Sequence, residues 1–279
     1  MPPTIYFDTN VFRYFATAFR DDPIDADLRD YFAISPFSLL ELISQLATTG
    51  AQEAFVAIHT MLNVYKLENT GILPWPEEVF RVLIFGASPE QGDLAKLLNT
   101  ATQNVLNANS PADVEAEARE LREFLNKVKY GTAENFAHLL TSWRNDGALE
   151  DGEHRRIFAE SIAHRAGVSK ENVKVDSIIE KLNAYWEYES TRLEIAGNEP
   201  EYNPHTHEHE NDTFDAEQLV YLAHPDLHFL TSDGGFRKAS ASAQYTRIHR
   251  APQNVFVDHK LAIDLIRSVV QGASTSGQA

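Results

Sequence analysis

Five acidic residues recur at comparable places near the two ends of this 279-residue chain: Asp8, Glu41, Asp212, Asp215 and Asp233. Crowded carboxylates repel one another unless a cation neutralises them. Oxygen ligands of this kind suit Mg²⁺ or Mn²⁺, which keep several waters and hold phosphates. Brought together, these acids predict a metal site of the kind that binds substrate phosphates. Taken singly, each also has an ordinary explanation. Ser38-Leu39-Leu40-Glu41 has the form of a capping box. Asp212 and Asp215 suit the start of a helix, where the dipole favours negative charge. Asp233-Gly234-Gly235 is a turn signal, and Asp8 can cap a helix starting near Thr9.

The elements that must position these residues decide between the two explanations. Residues 4–7 predict a short buried strand, followed by Val11, Phe12, Phe15 and Phe19 at helical spacing. Residues 31–35 predict a second strand and 37–46 the helix after it, with Glu41 in its first turn. Near the other end, 214–223 predicts a helix, 227–231, 245–248 and 255–257 strands, and 259–270 a closing helix. Between them, 51–68, 76–86, 113–129, 150–166 and 175–196 carry apolar residues at three- and four-residue spacing, punctuated by Pro and Gly. The expected organisation is an α/β core from 1–48 and 205–271, a helical insertion over 49–204, and a disordered tail at 272–279. The expected fold class is a three-layer α/β/α sandwich with a mainly parallel sheet. In such a sheet, strand carboxyl ends and helix amino ends share one edge, where ligands bind. Asp8 and Asp233 end strands, Glu41 and Asp215 begin helices, so all four fall on that edge.

These pieces, Tyr6-Phe7-Asp8-Thr9-Asn10-Val11-Phe12, Ser35-Pro36-Phe37-Ser38-Leu39-Leu40-Glu41-Leu42, and Asp215-Ala216-Glu217 through Phe229-Leu230-Thr231-Ser232-Asp233, resemble the PIN-domain nucleases. The family's strand-end Asp and small polar pair match Asp8, Thr9 and Asn10, and its helix-start Glu matches Glu41. Its third acid, eighteen residues before a T-x-D element, matches Asp215 with Thr231 and Asp233. Gln218, Leu219 and Leu222 stand where the family has small residues. The resemblance covers 1–48 and 205–260. It implies an Mg²⁺- or Mn²⁺-dependent endoribonuclease with RNA as substrate, of a kind often found as the toxin of a toxin–antitoxin pair with an antitoxin or other protein partner. Asp8, Glu41, Asp215 and Asp233 are then the catalytic residues. Asp8, Asp215 and Asp233 would hold metal, with Asp212 an extra candidate. Glu41 would hold the attacking water or act as base, while Asn10 and Thr231 orient carboxylates. The alternatives are an inactive binding or regulatory protein on the same core, and a DNA-directed nuclease of similar fold. A haloacid-dehalogenase-type phosphatase would need a second Asp two residues after Asp8, where Asn10 stands.

Other features are weaker. Arg237 and Lys238 follow Asp233 closely enough to meet phosphate. His205, His207 and His209 alternate and can face one way on an extended segment, although a solvated loop explains them as well. Trp75, Trp143 and Trp186 can stack bases, but aromatics at helical spacing usually belong to a core. The insertion suits a lid, a substrate platform or a homo-oligomer interface. With no cysteine and no basic, apolar start, the chain is expected to be cytoplasmic, without disulfides or a membrane partner. A formal charge of −17 excludes a generic DNA coater, whose affinity rests on many Lys and Arg.

Overall fold

Thr4–Phe7 forms strand β1, as a short β-branched and aromatic run should, and its last three residues are buried. A computed structural model describes residues 4–22, 24–65, 71–90, 92–146, 151–206, 209, 211–233, 235–237, 243–252 and 258–276. In it, β1 pairs in parallel with β2 (Leu227–Thr231), Ile5 opposite His228 and Phe7 opposite Leu230. β2 in turn pairs in parallel with β3 (Ile248–Arg250), Phe229 opposite Ile248. The chain is mixed α/β, mostly helical around this small parallel sheet.

Residues 31–35, expected as a strand, contribute isolated bridges instead. Ile5 bridges Phe32, and Ile34 bridges Ile72, both in parallel. The Ala33 amide donates to the Ile5 carbonyl at 2.9 Å, and the Leu73 amide to the Ile34 carbonyl at 2.9 Å. A 3₁₀ turn over Ala26–Tyr31 and a helix starting at Pro36 leave too few extended residues for a longer ladder. Across the layer the parallel order runs 72, 32–34, β1, β2, β3. From β1 the chain steps outward one way to 34 and 72, and later the other way to β2 and β3. The order reverses at β1, so the carboxyl ends of β1 and β2 flank a topological switch point.

Helix α1 (Thr9–Ala18) buries Val11, Phe12 and Phe15 against the sheet, with the Phe15 ring edge-on to Phe7 at 5.6 Å. Helix α2 (Pro36–Ser44) is capped by Ser35, whose Oγ accepts from the Phe37 amide at 3.2 Å. The cap is therefore Ser35 and not Ser38, and Glu41 falls in the second turn rather than the first. Ser38 is buried and donates to the Phe7 carbonyl at 3.1 Å, tying α2 to the end of β1. Helix α3 (Ala51–Tyr65) follows; the rest of the expected helix, 66–68, lies outside the described residues. Helix α4 (Pro76–Val79) runs into a π turn, Phe80–Ile84, and together they cover the expected 76–86 up to 84.

Helix α5 (Asp93–Asn107) stands where no element was expected, with Leu98, Ala101 and Val105 buried on one face. Helix α6 (Glu115–Asp146) is twice the expected length because Gly131 does not stop it. A helical glycine costs about 1 kcal/mol, and burial of Leu125, Ala133, Phe136 and Leu140 around it outweighs that cost. Helix α7 (Asp151–Arg165) matches its expectation, while 175–196 divides into α8 (Val175–Lys181) and α9 (Asn183–Asn198) at Leu182. Gln244, sixty residues on, makes the break tolerable. Its Oε1 accepts from the Ala184 amide at 2.7 Å and its Nε2 donates to the Lys181 carbonyl at 2.9 Å.

Helix α10 (Asp212–Gln218) continues as a 3₁₀ turn, Leu219–Ala223, close to the expected 214–223. The expected strand at 245–248 is a 3₁₀ turn, Ala243–Arg247, up to the start of β3. Arg247 holds it there by donating to the carbonyls of Leu222, His224 and Leu227 at 2.6, 2.6 and 3.0 Å. Residues 255–257 lie outside the described residues. Helix α11 (His259–Ser276) runs past 272, the expected start of a tail, and 277–279 are not described. No helix among the described residues is long and apolar enough to cross a membrane.

One apolar cluster spans both the sheet region and the central helices. It joins Phe7, Leu39, Ile58, Phe80, Leu121 and Ile162. An ion network centred on a buried carboxylate crosses the same boundary. Arg165 of α7 donates to Glu217 of α10 at 2.5 and 2.9 Å and to Glu77 of α4 at 2.9 and 2.7 Å. Glu217 is only 7% exposed, so losing Arg165 would strand a buried carboxylate. Arg165→Met is expected to lower unfolding stability in urea by about 3 kcal/mol. Arg156→Met, which removes an exposed pair with Glu160, should leave it almost unchanged. Equal effects would mean that the network does not join the two regions.

Candidate active site

Asp8 immediately follows β1 and caps α1. Its Oδ1 accepts from the Val11 amide at 2.7 Å. Its Oδ2 accepts from the Thr231 hydroxyl at 2.5 Å and the Ser232 amide at 3.1 Å. Two donors fill the in-plane lone pairs of Oδ2, leaving one on Oδ1. Burial pushes the Asp8 carboxyl above its ordinary range; Thr231, Val11 and Ser232 pull it back, and the charge of Asp233 raises it. The bland reading of Asp8 as a helix cap is thus correct, and the same carboxylate also bridges the switch point to the end of β2.

Thr231 orients two acids at once. Besides donating to Asp8, its Oγ1 accepts from the Asp233 amide at 3.0 Å. Asp233 is exposed, and its Oδ1 accepts from the Gly235 amide at 2.7 Å. Asn10 is exposed and donates to none of the four carboxylates. Its neighbour Thr9 does, with Oγ1 to Glu41 Oε2 at 2.5 Å. No sequence signal separated Thr9 from Asn10 beyond the fact that successive helical residues point to different faces. Glu41 also stands 3.6 Å from Lys129 Nζ on α6. Lys129, in the stretch read as an insertion, was not foreseen as a site residue.

Asp212 and Asp215 both lie in the first turn of α10 and have different surroundings. Asp212 Oδ2 accepts from the Tyr202 hydroxyl at 3.0 Å, contacts His209 Nδ1 at 3.1 Å and lies 3.8 Å from Arg192 Nε. It is a docking point for the segment before α10. Asp215 has no hydrogen-bond donor to its carboxylate among the described residues. Burial, and then the charges of Glu41, Asp233, Asp212 and Asp8 in that order, push its carboxyl well above the ordinary range. Five acids from four separate stretches of chain therefore share one electrostatic neighbourhood.

Other candidates are placed as follows. The backbone of Arg237 lies in a 3₁₀ turn, Gly235–Arg237, and Lys238 and His207 lie outside the described residues. His205 pairs with Glu134 at 3.2 Å, and His209 with Asp212. Trp186 is buried against Phe158 at 5.2 Å, Trp75 tilts onto Phe37 at 4.9 Å, and the Trp143 ring covers Gly197, so these rings serve packing.

The donor set fits a hard divalent cation. It consists of carboxylate oxygens, and Asp215 is a desolvated acid surrounded by like charges with no donor to offset them. As the side chains stand, no three His, Asp or Glu among the described residues converge closely enough to hold an ion. Asp8, Asp215 and Asp233 are the residues that would hold it.

The raised Asp215 pKa has a consequence for stability. The folded state binds this proton more tightly than the unfolded state, so the group's contribution falls as pH rises through its folded pKa. Asp215→Asn removes that penalty. The variant is expected to melt at a higher temperature than the parent at pH 8, with the difference vanishing below pH ~4, where both states are protonated. Thermal melts across this range test it, and a less stable variant at pH 8 would contradict the crowding of charge at Asp215.

Compared with family models, curated proteins and solved structures, the chain matches none.

Proposed function

We propose that the chain is a metal-dependent nuclease of PIN-like type, acting as an endoribonuclease with Mg²⁺ or Mn²⁺. The observation that carries this reading is the placing of Asp8, Glu41, Asp215 and Asp233 around the switch point of a parallel sheet, near enough for the charges of the other three to raise the Asp215 carboxyl. Structural needs account for Asp8 as a cap and Asp233 as a turn residue. They do not account for Asp215, which burial and four like charges make costly to ionise. Such an arrangement persists where function requires it.

In this reading the small sheet and its flanking helices form a three-layer PIN-like core. Asp8, Asp215 and Asp233 would hold a divalent cation, which would supply an activated water and offset charge on the phosphoryl oxygens. The chain's own residues do the rest. Thr231 and the amides of Val11 and Ser232 hold Asp8 in one rotamer, so its remaining lone pair is aimed before substrate arrives. Glu41, fixed by Thr9, is placed to orient the attacking water and take its proton. RNA is the proposed partner, and a toxin role with an antitoxin remains part of the family resemblance.

Asp8→Asn and Asp233→Asn are each expected to lower the cleavage rate of end-labelled RNA in Mn²⁺ by at least about a hundredfold. Variants that cut as fast as the parent would remove this mechanism. One observation favours a second reading, a binding protein of the same fold without turnover: the Lys129 ammonium beside Glu41 is a cation already built into the site. Metal binding by calorimetry, together with intact RNA and DNA after prolonged incubation, would favour that reading.

A further inference from the structure

Helix α6 crosses the carboxylate edge and delivers one ammonium to it. Lys129 Nζ donates to Asn211 Oδ1 at 2.5 Å, stands 3.6 Å from Glu41 Oε1 and lies 5.6 Å from the centre of the Phe214 ring. Asn211 immediately precedes α10, and Phe214 immediately precedes Asp215. The ammonium is thus held between Glu41 on α2 and the turn that presents Asp215. Its side chain is only 16% exposed, and that of Glu41 22%.

The simplest account is a salt bridge pinning α6 to the core. Its geometry is poor for that purpose. At 3.6 Å the Glu41 contact is an ion pair without hydrogen-bond length, so among the described residues only Asn211 accepts a hydrogen bond from Nζ. An ammonium carries three donors, and two are left over in a partly buried position beside acids. Lysine is a compact point charge that binds phosphate oxygens from any direction. The arrangement offers what a phosphodiester needs on entering an acidic site: a positive charge fixed in advance, with donors to spare.

We propose that Lys129 is the substrate-positioning cation of the site, donating to a non-bridging oxygen of the scissile phosphodiester while Asn211 and Glu41 hold its ammonium in place. This deepens the nuclease reading and rests on it. The insertion-borne helix then belongs to the active site, with its one inward-held lysine countering the repulsion between acids and substrate.

Two measurements on Lys129→Gln and Lys129→Arg test this. In Mn²⁺ with a defined RNA, Lys129→Gln should lower kcat/KM about ten- to a hundredfold, mainly through KM, with Lys129→Arg recovering part of the loss. In the slow-cleaving Asp8→Asn background, RNA binding is followed by fluorescence anisotropy between 50 and 200 mM salt. Removal of one phosphate contact should flatten the slope of log K against log salt by about 0.7. A helix-pinning role would leave that slope unchanged. Lys129→Met, which keeps most of the apolar stem, replaces Lys129→Gln if the latter does not fold by circular dichroism. An unchanged slope with unchanged kcat/KM overturns the proposal. So does faster cleavage by Lys129→Gln, which would make Lys129 a competitor of the metal. If the parent chain cuts RNA and only the Lys129 measurements are flat, this inference alone fails. If the parent neither binds nor cuts RNA or DNA, the nuclease reading falls and takes it along.

Discussion

The three hydrogen bonds to the Asp8 carboxylate are the constraint on which the site depends. They come from the Val11 amide on α1, the Thr231 hydroxyl at the end of β2 and the Ser232 amide just beyond it. One buried side chain therefore closes the first turn of α1 and joins the two strands that flank the switch point. Burying a carboxylate is unfavourable unless its lone pairs are occupied. Here the occupying donors are fixed by backbone geometry and by one hydroxyl. That hydroxyl passes the constraint on, since Thr231 Oγ1 also accepts from the Asp233 amide. The register of β1 against β2 is in this way coupled to the placement of two acids.

Glu41 and Asp215 are held by different means, and both involve the central helices. Ser38 ties α2 to the Phe7 carbonyl, which sets where Glu41 can reach. The α10 turn is fixed from the other side. Asp212 receives Tyr202 and approaches Arg192, while Glu217, two residues after Asp215, is locked by Arg165 and Tyr185. Arg192 and Tyr185 belong to α9 and Arg165 to α7. The helices between the two halves of the sheet region thus supply the ion pairs that orient the acid-bearing turn, and their apolar residues continue the same core. Repulsion among the acids is contained partly by these outer pairs and partly by the cations beside Glu41 and Asp212, while Asp215 has none of its own among the described residues.

What was legible in the sequence follows a physical division. β1 and β2 lie where short β-branched and aromatic runs placed them, and α7 and α10 begin within two residues of expectation. Local chemistry decides those elements. Asp8, Asp215 and Asp233 were legible as neighbours because strand ends and helix starts share an edge in any parallel α/β layer, whereas Glu41 reaches that edge from the second turn of α2. Other features depend on partners remote in sequence. The break at Leu182 needs Gln244, and the 3₁₀ turn before β3 needs carbonyls more than twenty residues away. Lys129 meets Glu41 across eighty-eight residues, and no periodicity on α6 distinguishes it from Lys127 on the same helix. Helix α5 is a different case: Leu94, Leu97, Leu98, Ala101 and Val105 carried the spacing plainly.

The formal charge of −17 gains meaning from this arrangement. Residues 1–48 and 205–279 carry −7 of it, and 49–204 carry −10. A surface of that sign repels a polyanion, but exposed charges are screened beyond about 8 Å at physiological salt. Recognition of a phosphodiester by such a chain must then rest on cations close to the reacting group and partly shielded from solvent. Under the proposed function Lys129 would meet both conditions, and it comes from the more acidic part of the sequence. An acidic exterior with a cation held inward disfavours loose binding along a nucleic acid and rewards contacts made at one phosphate. Net charge and the proposed site chemistry are therefore compatible, since the charge alone argued only against a generic DNA coater.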